Sequence, residues 1–159
     1  MSNSLFRLIG AAVALSLASA AAIAGPLAVT TRMLVEKRAI AADGSVRIDL
    51  VEPAKVVPGD SVVVTLDYRN AGAQPIADLA LTSPVPPGTA FRALRAGSPA
   101  AEMSVDGVTY APLASLRVAL PGGGTRAAVT DDVTHVRWRL ATPVAPGAKG
   151  ALAFQAVLR

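Results

Sequence analysis

Residue types able to carry chemistry are few in this chain and fall close together. Asp131-Asp132-x-x-His135 is the one segment that combines carboxylates with an imidazole, the donor types that hold a divalent cation. The chain has one histidine and no cysteine, so nothing completes a metal site, and no metal or cofactor is expected. Any Ser–His–Asp arrangement would have to run through His135, and no Gly-x-Ser-x-Gly elbow accompanies it. Gly122-Gly123-Gly124 resembles a phosphate cradle only in its glycines. It lacks the Lys-Ser/Thr that follows a phosphate loop, so it reads as a hairpin tip. No catalytic residue is assigned, and a non-enzymatic chain is expected.

A second grouping is basic. His135, Arg137 and Arg139 alternate along one face of a run whose other face carries Val136, Trp138 and Leu140, and Arg126 from the preceding loop can join them. Such a stripe suits acidic glycans or lipid headgroups, at about 1 kcal/mol per cation near an anionic surface. The same charges also serve to keep an exposed strand face soluble and unpaired. Aromatic residues are only 4% of the chain and none interleaves the arginines as a base-stacking platform would, so nucleic acid is not expected. Trp138 and Tyr68 lie on the apolar phase of their segments, which places them in a core rather than on a sugar-stacking surface.

The elements that must position these residues follow from two-residue alternation. From Ser61 to Asn70, Val62, Val64, Leu66 and Tyr68 face one way while Val63, Thr65, Asp67 and Arg69 face the other, the pattern of a half-buried strand. The runs through His135–Leu140 and Leu152–Leu158 alternate in the same way. Weaker strands are expected at Thr31–Arg38, Val46–Val51, Ile76–Thr82, Ala90–Arg95, Glu102–Val105, Val108–Ala111 and Leu116–Leu120. Asp43-Gly44 and Asp106-Gly107 have the residues of two-residue hairpin loops, and Pro58-Gly59, Pro87-Gly88, Pro121-Gly122 and Pro146-Gly147 mark tight reversals. With Pro 12 and Gly 13 spread along the chain, long helices are denied, and an antiparallel all-β sandwich is expected. Neither an internal repeat nor a linker is visible.

Hydrophobic residues make up 52% of the chain and charged ones 16%, which excludes disorder. The N-terminus reads as a secretory leader: Arg7, then an apolar stretch from Leu8 to Ala18, then Ala22-Ile23-Ala24 with small residues where a signal peptidase cuts. Cleavage is expected after Ala24, with Ala20 or Ala22 as alternatives. Residues 1–24 form the leader and 25–159 one domain of roughly 135 residues, the size of a single core. The rival reading is an uncleaved anchor, since Leu8–Ala24 approaches the length that spans a bilayer, but its alanines, Gly10, Ser16 and Ser19 weaken it. The absence of cysteine excludes a lipoprotein anchor. The formal charge of +4 becomes about +3 without Arg7, too small an excess to imply a polyanionic partner unless clustered.

Val57-Pro58-Gly59-Asp60, the alternating run to Tyr68, and Asn70-Ala71-Gly72 together resemble the opening of the bacterial conserved-repeat domain known as domain of unknown function number eleven. Leu79, Leu81, Pro86-Pro87-Gly88 and Ala90-Phe91 are similar to its middle portion, and Val136-x-Trp138 with Pro146-Gly147 to its end. The resemblance covers most of Val57–Arg159. One departure is Ser83-Pro84, where the family carries an acidic or amide residue before its turn. The resemblance implies an immunoglobulin-like module of exported and cell-surface proteins, one that speaks to fold more than to activity. The expectation is therefore a non-catalytic structural or protein-interaction module of the bacterial envelope, in the periplasm or at the cell surface. Its partner would be an envelope protein or polysaccharide, and it would meet the membrane only through the leader. The alternative is a binding module for anionic envelope polysaccharide or lipid, using Arg126, His135, Arg137 and Arg139.

Overall fold

The computed structural model describes residues 26–52 and 57–159; the expected leader and its cleavage site lie outside them. Ten strands follow in chain order: β1 (Leu27–Ile40), β2 (Val46–Val51), β3 (Ser61–Asn70), β4 (Ala80–Pro84), β5 (Thr89–Leu94), β6 (Glu102–Ser104), β7 (Arg117–Ala119), β8 (Thr125–Ala127), β9 (His135–Arg139) and β10 (Lys149–Leu158). Every pairing is antiparallel. A five-stranded sheet in the order β2-β1-β3-β10-β5 faces a three-stranded sheet in the order β4-β9-β6, and β7 and β8 form a separate hairpin. Among the described residues no helix is long and apolar enough to cross a membrane.

The two sheets are held together by the alternation seen in the sequence. Val62, Val64 and Leu66 of β3, Phe91 of β5 and Leu152 and Phe154 of β10 share one cluster with Leu81 of β4 and Val136 and Trp138 of β9. Trp138 spans the interface, its ring centroid 6.3 Å from that of Phe154, and Phe91 lies 5.9 Å from Phe154 on the other side. Each fully buried Val, Leu or Phe here contributes about 1.5–3 kcal/mol relative to exposure. An all-β sandwich results.

Several elements depart from the pattern expected of them. β4 starts at Ala80, and Ile76 makes only a bridge to Val144, because Asp78 between them sits at φ 50°, a left-handed conformation that breaks an extended run. Val108–Ala111 is no strand: Asp106 Oδ1 accepts the N–H groups of Val108 and Thr109, both at 2.8 Å, and curls the chain into a loop in which Ala111 alone bridges Met103. Asp106-Gly107 is thus part of a longer turn than a two-residue loop, although Gly107 does adopt φ 77°. Asp43-Gly44 likewise closes a connection running from Ala41 to Ser45. Gly122-Gly123-Gly124 does form a hairpin tip, with Leu120 N–H donating to Gly124 O at 3.1 Å, and this tip brings in β8, a strand too short to show alternation. Tyr68 is only half-buried, its ring lying across Gly150.

β1 is the longest strand and belongs to two pairings. Leu27–Val35 pairs with β3 on one side, and Val35–Ile40 with β2 on the other. Ala71 N–H donates to Pro26 O, which sets the phase: even-numbered β1 residues exchange backbone bonds with β3, and odd-numbered ones turn N–H and C=O to the opposite edge. Beyond Val35 that edge is taken by β2. Before it, the backbone groups of Leu27, Val29, Thr31 and Met33 meet no strand among the described residues. The three-stranded sheet does not reach this far, so Val29 is 44% and Met33 36% exposed.

Candidate ligand-binding face

β9 is the middle strand of the smaller sheet, and its alternation sends Val136 and Trp138 inward and His135, Arg137 and Arg139 outward. The structure therefore brings these three onto one face, as their spacing requires. It also places a carboxylate among them. Glu102 on β6 stands opposite Arg137 in the β6–β9 register, and its Oε2 accepts from Arg137 Nε at 3.0 Å, Arg137 Nη2 at 2.7 Å and Arg139 Nε at 3.2 Å. The Arg137 guanidinium holds the Glu102 carboxyl below its ordinary range, with Arg139 adding to the effect. The Arg137 guanidinium carbon also lies 3.9 Å from the centroid of the Tyr110 ring, a cation–π contact that fixes its plane. Glu102 and Tyr110 carried no signal in the sequence, because the contacts that give them a role bridge strands far apart in the chain.

Arg126 does not join this stripe. On β8 it grips Asp132 with two bonds of 2.6 Å, and among the described residues its hydrogen bonds run only to Asp132 and the Ala127 carbonyl. The acidic pair is divided. Asp131 turns to Arg92 at 2.5 Å and Arg159 at 3.5 Å, while Asp132 also accepts Val129 N–H at 2.8 Å. Each carboxylate thus closes a different part of the fold, and among the described residues no group of three His, Cys, Asp or Glu side chains converges.

His135 packs its ring against Gly107, where an added Cβ would come within 3.1 Å of the imidazole. Its Nδ1 lies 3.0 Å from Thr134 Oγ1, and that hydroxyl donates its one proton to Ser104 O at 3.1 Å. A hydroxyl aimed at that carbonyl is not offering its proton to the imidazole as a nucleophile awaiting a base would. The concave surfaces are open. A groove of about 610 Å³ at one end of the sandwich is lined by Tyr68, Arg139, Leu140, Pro143, Val144 and Lys149, among others. None of His135, Asp131 and Asp132 reaches it.

Acid should test these pairings. Arg126 foremost, then Val129 N–H, lowers the Asp132 carboxyl from 3.8 to about 2, and hydrogen bonds from Thr109 and Val108 hold Asp106 lower still. A carboxyl that binds its proton less readily when folded adds stability above its unfolded value and loses it as pH falls through the folded one. The urea midpoint should therefore drop between about pH 4 and pH 2, and Asp132→Asn should flatten that drop. An unchanged slope in the variant would contradict the assignment.

No family model, curated protein or solved structure matches the chain.

Proposed function

We propose that this chain is an exported, immunoglobulin-like module of the bacterial cell envelope, related to the conserved-repeat domain it resembles, that acts as a non-catalytic structural or protein-interaction unit. One observation carries the reading: the charged members of the clusters that would do chemistry are held by partners within the fold, Asp131 by Arg92, Asp132 by Arg126, and Arg137 and Arg139 by Glu102. What the surface still offers is backbone edge and strand face, the means by which β-domains bind other chains. The chain passes between the two sheets at β3–β4, β4–β5, β5–β6 and β9–β10, which supports an immunoglobulin-like sandwich. The leader supports export.

A second reading, recognition of anionic envelope polysaccharide or lipid, draws on Arg139, whose side chain is 63% exposed, and on two guanidiniums sharing one carboxylate. Glu102 weighs against it, since it fills the position between the guanidiniums that a ligand anion would take. Crosslinking in intact cells, followed by recovery from periplasmic, outer-membrane and medium fractions, tests the first reading. The chain should appear without residues 1–24 and joined to protein. Recovery in the inner membrane with an intact N-terminus, or turnover of a substrate by the purified chain, would overturn it. The second reading gains only if retention on an anionic matrix is salt-sensitive and is abolished by reversing Arg137 and Arg139 to Glu.

A further inference from the structure

The edge of β1, unpaired among the described residues, goes beyond the general notion of an interaction module, though it rests on that reading. Edge strands are normally blunted by charge, proline, bulges or a covering segment. Along Leu27–Leu34 the one charged residue is Arg32, and its guanidinium is turned onto Asp67 at 2.6 Å on the opposite face from Val29 and Met33. Four residues present their backbone donors and acceptors toward this edge, and two of their own apolar side chains, Val29 and Met33, are left exposed. Such an edge specifies its occupant: an extended strand with apolar side chains on the core-facing side.

We infer that the occupant is the same edge of a second copy of this chain, the two β1 strands pairing antiparallel about a two-fold axis at Thr30. The phase of the ladder permits only registers that set odd-numbered residues opposite odd-numbered ones. Of these, the register with Leu27 opposite Met33 of the second copy and Val29 opposite its Thr31 uses the outward groups of all four residues on both strands. Shifting the axis to Thr31 would set Leu27 opposite Val35, whose backbone is already bonded to β2. Shifting it to Arg32 would set like charges face to face. In the Thr30 register Arg32 faces Ala28, Thr30 faces Thr30, and Pro26 falls opposite Leu34 at a position where no N–H is needed. The contact is self-complementary, as a two-fold interface must be, and it joins the two five-stranded sheets into one. The apolar residues Leu27, Val29 and Met33 of both copies then line a single stripe.

The chain has no cysteine, so an introduced one reports directly. At Thr30 the facing residues form a non-hydrogen-bonded pair with Cα atoms about 4.5 Å apart, within the reach of a disulfide. Thr30→Cys should form a disulfide-linked dimer under mild oxidation and Thr31→Cys should not. In sedimentation of the chain as cells yield it, Val29→Pro, which removes only an outward N–H, and Val29→Lys, at an exposed position, should each weaken self-association by about tenfold or more. The lysine variant's melting temperature, read at a concentration where the unmodified chain is monomeric, separates lost pairing from lost fold. A dimer from Thr31→Cys in place of Thr30→Cys would overturn the register. A monomer at every concentration would overturn the proposal, as would capture of this edge by a different protein alone, and that last result would leave the interaction-module reading standing.

Discussion

Replacing Trp138 by alanine should lower the unfolding free energy by about 3–5 kcal/mol, a large share of the about 5–15 kcal/mol that holds an ordinary domain folded. The side chain is fully buried at the centre of the sandwich and reaches from the smaller sheet toward Phe154 of the larger. Its indole Nε1 has no hydrogen-bond partner among the described residues. That donor therefore costs stability instead of adding to it, and Trp138→Phe should cost clearly less than the alanine. Urea unfolding of the three proteins checks both statements. An alanine variant with the parental midpoint would remove Trp138 from the core.

The second large effect is expected at Asn70. Its side chain is fully buried and uses its bonding capacity on the backbone: Nδ2 donates to Gln74 O at 2.7 Å and Val144 O at 2.8 Å, and Oδ1 accepts Gly72 N–H at 2.9 Å. The loop after β3 is thereby tied to the loop before β10. Asn70→Ala deletes all three bonds, each with a net contribution of about 0.5–1.5 kcal/mol, so a loss of about 2–4 kcal/mol is expected, with Val144 O keeping only the Ile76 N–H as donor. Asn70→Asp should be worse at neutral pH, because a carboxylate would face two carbonyl oxygens. Denaturation at pH 7 measures the order, parent above alanine above aspartate. An aspartate variant as stable as the parent would contradict the bonding described.

These two residues also mark how far the chain could be read in advance. Trp138 was legible because its neighbours alternate, and the bounds of β2 and β3, with all of β9 but its end one residue before the expected Leu140, followed from the same two-residue period. Asn70 was legible only as part of an Asn-Ala-Gly turn, since its partners at Val144 depend on a loop that the period cannot locate. Val63 sits on the phase expected to face outward, yet it is fully buried. Its cross-strand neighbours are Leu34 and Gln155, and Gln155 and Arg95 both bond Glu36 on that side of the sheet. Alternation tells which side a residue faces, not whether that side is covered. The basic stripe shows the same limit: spacing put His135, Arg137 and Arg139 on one face, but Glu102, whose chain distance hides its role, decides the field there.

The placement of β10 between β3 and β5 has a kinetic consequence. β10, made after all the strands it joins, is an interior strand, and its ten residues complete the ladder on both neighbours at once. Until Leu158 emerges, β5 has nothing to join in the larger sheet, and Phe154 is missing from beneath Trp138. β1, β2 and β3, paired in the order β2-β1-β3, and the β7–β8 hairpin can zip early. The β3–β10 and β5–β10 ladders wait for long-range closures, as between Val62 and Ala156, the slow step of high-contact-order β-proteins.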